Sequence, residues 1–196
     1  MAENGGGNLM FLKTAQFKKM LRELYTGGGV EVFNDGEMLW IGGSYWMITV
    51  KEGKINKENL AAVIEFTGNL PEPGRGFCAM KDQRNQGSFK LQEISEGEIR
   101  DDLYISRIAF RYGNNVSMRL LQSGDREIYL LREDVLKLID MSKLEPGEAS
   151  PTGPLLMTDN SVEWRNDTMT LKAMLAKSDD FKEVVSALEG IPEGIV

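Results

Sequence analysis

Carboxylates are the side chains whose type could do chemistry here: Asp101-Asp102, Asp179-Asp180, Asp159 and Asp167. Paired acids of this kind can hold a Mg²⁺ ion that polarises a phosphoryl oxygen, as in nucleases and phosphatases. None of them falls at a recognisable ligand spacing, and their neighbours mark turns and helix starts. The 196-residue chain has no histidine and a single cysteine, Cys78. Ser-His-Asp and Cys-His catalysis are thereby excluded, as are zinc sites built on histidine. Phe77-Cys78-Ala79-Met80 reads as a buried apolar stretch, since free cysteine behaves as a small hydrophobe. Gly27-Gly28-Gly29 follows a helical pattern where a phosphate-cradling loop would precede one. The expectation is a protein that binds rather than catalyses, with no catalytic residue, no metal and no cofactor.

Three groups could do the binding. Arg107, Arg111 and Arg119 belong to an arginine-rich stretch from Arg100 to Arg132 that contains no lysine. Guanidinium groups make forked contacts with phosphate or carboxylate. The alternative is a solvated sheet face whose arginines pair with Asp101, Asp102, Asp125 or Glu127. Lys18, Lys19 and Arg22 form a second basic group on one helix face, with Glu23 beside them. Trp40, Tyr45 and Trp46, close to Met38 and Met47, form a candidate partner surface. Burial in the core is the competing explanation for those aromatics.

The elements that must position these residues follow from periodicity. Phe17, Met20, Leu21, Leu24 and Tyr25 share one face of a helix over 14–25, with Thr14 as its cap. Strands follow at 30–33, 37–41 and 45–50, the first two joined by Asn34-Asp35-Gly36. Asn56 caps a second helix expected to bury Leu60, Val63 and Ile64. A short strand is expected over 77–80, another over 89–94, and three more over 103–112, 116–122 and 126–131. With a three-residue turn at Gly113-Asn114-Asn115, Ile108, Phe110 and Tyr112 share a side with Val116, Met118 and Leu120. Arg107, Arg111 and Arg119 then occupy the other side. A helix over 132–143, strands near 155–158, 162–165 and 168–171, and a last helix after Ser178 complete the chain.

The fold class is therefore α+β: antiparallel sheet flanked by three or four helices, with residues 1–8 as a disordered tail. Two α+β halves, 9–80 and 89–196, are expected, similar to each other or merged into one integrated domain. An apolar fraction of 41% supports a core without staples. No apolar run reaches the roughly 20 residues that cross a bilayer, and the N-terminus carries no secretory pattern. With one cysteine, a cytoplasmic location without membrane contact is expected. The net charge of −7 argues against coating nucleic acid over the whole surface and leaves room for a local basic face.

The order of elements recurs. Phe11-Leu12 enters a helix that leads to Val30–Ile41 and a further strand; Ile128–Leu131 enters a second helix that leads to Leu155–Trp164 and a further strand. This plan resembles the half-domains of the sliding DNA clamps, better over 9–50 than over 126–175. The resemblance implies a homo-oligomeric ring, helices lining a hole around DNA, and an outer groove for peptide motifs of polymerases. Lys18, Lys19 and Arg22 suit such a lining. The chain is short for a clamp protomer, and the charge over 132–143 is balanced. The function expected is a non-enzymatic binding protein acting on protein partners, in its most specific form a clamp-like replication factor of phage or bacterial origin. An acidic inhibitor that mimics phosphate toward a nucleic-acid-binding enzyme is the alternative, and a Mg²⁺-dependent enzyme ranks last.

Overall fold

In the computed structural model, which describes residues 11–82, 97–112, 116–144 and 149–176, the apolar face of the first helix sets where the chain turns inward. α1 (Thr14–Thr26) buries Phe17, Met20, Leu21 and Leu24, the spacing read from the sequence. Thr14 begins this helix instead of capping it. Lys13 holds the cap position, its N–H donating to the Leu138 carbonyl at 2.7 Å, and the Thr14 hydroxyl reaches Glu58 at 3.4 Å. Just beyond α1, Gly29 has φ +102°, and a Cβ there would lie 2.3 Å from Cys78 Sγ, so only glycine fits.

β1 (Val30–Asn34), β2 (Met38–Gly42) and β3 (Trp46–Lys51) form an antiparallel meander. Its first turn is fastened by Asp35, whose carboxylate accepts from the amides of Glu37 and Met38 and, at 3.0 Å, from the Trp40 indole. α2 (Lys57–Thr67) is capped as expected, with Asn56 accepting from the Asn59 amide at 2.7 Å. Its buried face differs from the expected one. Asn59, Ala62, Val63, Phe66 and Thr67 point inward, while Leu60 is half-buried and Ile64 exposed. Phe66 decides this rotation, because its ring packs on Tyr25 at 5.5 Å between centroids.

β4 (Arg75–Ala79) pairs with β1. β5 (Ile99–Tyr112), β6 (Val116–Ser123) and β7 (Ile128–Arg132) make a second meander. Tyr112 opposes Val116 and Phe110 opposes Met118, as the three-residue turn required. The helix expected over 132–143 stops after one turn, as α3 (Glu133–Leu136). The N-terminal segment claims the backbone groups that would continue it: Leu12 bridges Ile139, Lys13 takes the Leu138 carbonyl, and the Asp140 amide donates to Phe11. A 3-10 turn, Met141–Lys143, follows. β8 (Thr152–Met157), β9 (Ser161–Arg165) and β10 (Met169–Met174) complete the sheet. The expected tail, the strand over 89–94 and the last helix lie outside the described residues.

Among the described residues ten strands form one sheet, in the order β4-β1-β2-β3-β10-β9-β8-β5-β6-β7, with antiparallel neighbours throughout. It crosses the expected boundary between the halves at β3–β10. Val32, Ile41, Ile48, Leu171 and Trp164 oppose one another in turn across five strands, and all are buried in the main core with the α1 residues. This row fastens the sheet to its helical layer. A smaller cluster on the other face of β5–β7 gathers Met118, Leu120 and Leu130 with Ile108 and Phe110. The architecture is α+β, and no helix among the described residues is long and apolar enough to cross a membrane.

Candidate functional site

Where α1 passes over β6, β7 and α3, a polar cleft of about 290 Å³ opens, lined by Lys19 and Glu23 from α1, Ser117 from β6, and Arg132, Asp134 and Lys137. Arg132 organises its floor. Its guanidinium lies 4.0 Å above the Tyr45 ring, pairs with Asp134 through two nitrogens, and reaches Glu23 at 3.5 Å. Burial works against the charge of Arg132, but the Asp134 contact outweighs it and holds the pKa above its ordinary value. Burial, helped by the charge of Asp134, pushes the Tyr45 hydroxyl up to about 12, so it stays protonated. Gln16 from α1 donates to the Asp134 carbonyl at 3.1 Å and ties the two walls together.

A second pair stands beside the first. Arg119 binds Glu133 and also donates to the Ser106 carbonyl at 3.3 Å. The hydrogen bond from Arg119 holds the Glu133 carboxyl below its ordinary range, and Lys137 adds to this from 3.5 Å. Arg111 opposes Ser117 across the β5–β6 hairpin. Cross-strand partners project to one side, so Arg111 and Arg119 share a side of the hairpin with Ser117. Lys19, Arg132 and Lys137 thus line the cleft, Arg119 joins Lys137 at Glu133, and Arg111 lies on the Ser117 side of the adjoining hairpin, in a protein whose net charge is −7.

The other expected basic residues do not join them. Lys18 turns to α2, where it pairs with Glu65 at 2.5 Å. Arg22 is exposed on α1, and Arg107 is exposed in the irregular stretch between Ile105 and Ala109. That irregularity breaks the alternation that was expected to align Arg107 with Arg111 and Arg119. The sequence reading did not single out Ser117, Gln16 or Asp134, because a cleft between a helix and a distant hairpin leaves no periodic mark. The Arg132-Glu133-Asp134 run at a strand–helix junction is the one local signal that could have pointed there.

Trp40, Tyr45 and Trp46 do not form one surface. Trp46 is 2% exposed and meets Phe17 edge-on, with centroids 5.9 Å apart. Tyr45 precedes it in the turn and lies beneath Arg132. Trp40 opposes Thr49 on the sheet face away from α1, half-buried and bonded to Asp35. Strand alternation separates the two tryptophans, since Trp46 and Thr49 are an odd number of residues apart.

Asp101 and Asp159 serve as local fasteners, and Asp179-Asp180 lie outside the described residues. Asp101 accepts from the Gly124 amide at 2.8 Å, and Asp159 accepts from Ser161 and pairs with Lys172 at 2.7 Å. Glu163 stands 3.5 Å from the same ammonium. Burial alone would raise the Asp159 pKa, but Lys172 and Ser161 bring it below its ordinary value, whereas burial leaves that of Glu163 raised. Among the described residues, no group of three or more acidic or thiol side chains could hold a metal ion. No protein-family model matches the chain, and comparisons with curated proteins and with solved structures found no match.

Proposed function

We propose that this chain is a non-enzymatic binding protein that acts through protein–protein contacts as a clamp-like accessory factor of DNA replication, of the kind used by phage or bacterial systems. The observation that carries the reading is the arrangement about the central β3–β10 pair. β1–β2–β3 runs outward on one side and β8–β9–β10 on the other, in mirrored order. Met38–Gly42 and Trp46–Lys51 correspond to Ser161–Arg165 and Met169–Met174 at one constant spacing along the chain, and Ile48 faces Leu171 at the centre. Two such blocks, each entered through a strand-like segment, support the reading of two similar clamp-like halves. Because α3 is a single turn, the long helix turned toward DNA in this reading is α1, with the charged cleft at its flank. Trp40 is the aromatic left to meet a protein partner.

Light scattering coupled to size-exclusion chromatography at physiological salt tests the proposal. A defined dimer or trimer is expected, retained on nicked circular DNA and lost when the circle is cut. A monomer across a broad concentration range would overturn the clamp reading and favour a monomeric acidic inhibitor.

A further inference from the structure

The geometry points to a phosphate-binding site at the mouth of the cleft, made by Lys19, Arg111, Lys137 and the Ser117 hydroxyl, that takes the backbone of a nucleic acid. The inference rests on the replication reading for the choice of ligand, and it does not require a ring.

The charges of the cleft fall into two layers. In the inner layer, Arg132 and Arg119 are committed to Asp134 and Glu133, with the two carboxylate side chains only 18% exposed. These pairs are scaffold: each guanidinium is held in place, and each carboxylate is already neutralised. In the outer layer, the side chains of Lys19 and Lys137 are 63% and 59% exposed. Their contacts, Lys19 to Glu23 at 3.9 Å and Lys137 to the inner-layer Glu133 at 3.5 Å, are long, and each ammonium stays open to water and salt. Arg111 is exposed and makes no ion pair among the described residues. Three cations therefore stand about one hydroxyl donor, and Glu23, 3.5 Å from Arg132 and 41% exposed, is the carboxylate beside them that stays open to solvent. A phosphodiester presents the complement of that set: one negative charge and several acceptor oxygens. The acidic remainder of the surface repels a polyanion, which confines contact to this mouth.

The test is fluorescence anisotropy of the full chain with a labelled single strand of about 12 nucleotides, over a salt series. Three phosphate contacts predict a log–log salt slope of about −2. Lys19→Ala, Arg111→Ala and Lys137→Ala should each weaken binding and reduce the slope by about 0.7. Glu23→Gln should tighten binding roughly two- to fivefold. Arg75→Ala, exposed on β4 at the opposite edge of the sheet, should bind as the wild type does. Circular dichroism confirms that each variant is folded. Absence of binding by the wild type, or three variants with unchanged slope, would overturn the site. Equal competition by inorganic phosphate, at matched phosphate concentration and ionic strength, would overturn its assignment to nucleic acid. A monomer that binds through these residues keeps the cleft and loses the clamp; a ring indifferent to them does the reverse.

Discussion

Replacing Lys172 by methionine should destabilise the fold by about 2–4 kcal/mol at neutral pH, and the loss should shrink in acid. The Lys172 side chain is 9% exposed, and its ammonium stands 2.7 Å from Asp159 and 3.5 Å from Glu163. At 2.7 Å and an effective dielectric of about 20, the Asp159 contact alone is worth about 6 kcal/mol of attraction. Desolvation of the three groups offsets much of it, and breaking a buried pair typically costs about 3–5 kcal/mol because a charge is stranded. Asp159 is 26% exposed, so water recovers part of that cost.

The pH dependence has a definite sign. Asp159 is held below its ordinary 3.8, so its stabilisation is in force above that value and is lost as pH falls through the lowered one. Glu163 is raised above its ordinary 4.5, so its contribution favours folding in acid and is lost as pH rises through the raised value. Without Lys172 the buried Glu163 and the half-buried Asp159 lose their ammonium partner, and both shift upward. Urea denaturation of wild type and Lys172→Met between about pH 2.5 and pH 8, a range that reaches below the ordinary 3.8 of Asp159 and above the ordinary 4.5 of Glu163, reads the effect. A deficit below about 1 kcal/mol, or one that does not change with pH, would refute the assignment of Lys172 as the buried counter-charge.

Other substitutions separate the residues that hold the fold from those at its surface. Trp46→Ala should cost about 3–5 kcal/mol, whereas Trp40→Ala, at a half-buried site, should cost no more than about 1.5, both read from urea midpoints. Gly42→Ala should cost about 1–3 kcal/mol, because its Cβ would lie 2.4 Å from the Trp46 carbonyl oxygen and 2.6 Å from Met47 Cα, and backbone cannot yield as a side chain does. Gly53, at φ +75° with open space around it, should lose about 1 kcal/mol on the same change, through backbone strain alone. In Arg119→Met the Glu133 carboxyl should titrate at higher pH than in the wild type, followed by carbon-detected NMR, because the hydrogen bond that holds it down is gone.

Local chemistry was legible in the sequence because it depends on neighbours along the chain. The face of α1, the Asn56 cap and the Asn34-Asp35-Gly36 turn follow from spacings of two to four residues, and the opposition of Phe110 to Met118 from strand alternation about a short turn. The lack of histidine is a matter of composition and needs no structure. The tertiary structure decided what depends on contacts between distant segments. Leu12 captured Ile139 and cut the expected helix to one turn; Phe66 met Tyr25 and rotated α2; Trp46 found Phe17 and left the surface. Lys19 came to lie beside Ser117, and Arg132 settled over Tyr45, so two basic groups far apart in the chain now border one cleft. Periodicity reports which side of an element is apolar. It carries no record of which element will cover that side, because that choice is made by burial and hydrogen bonding across the whole sheet.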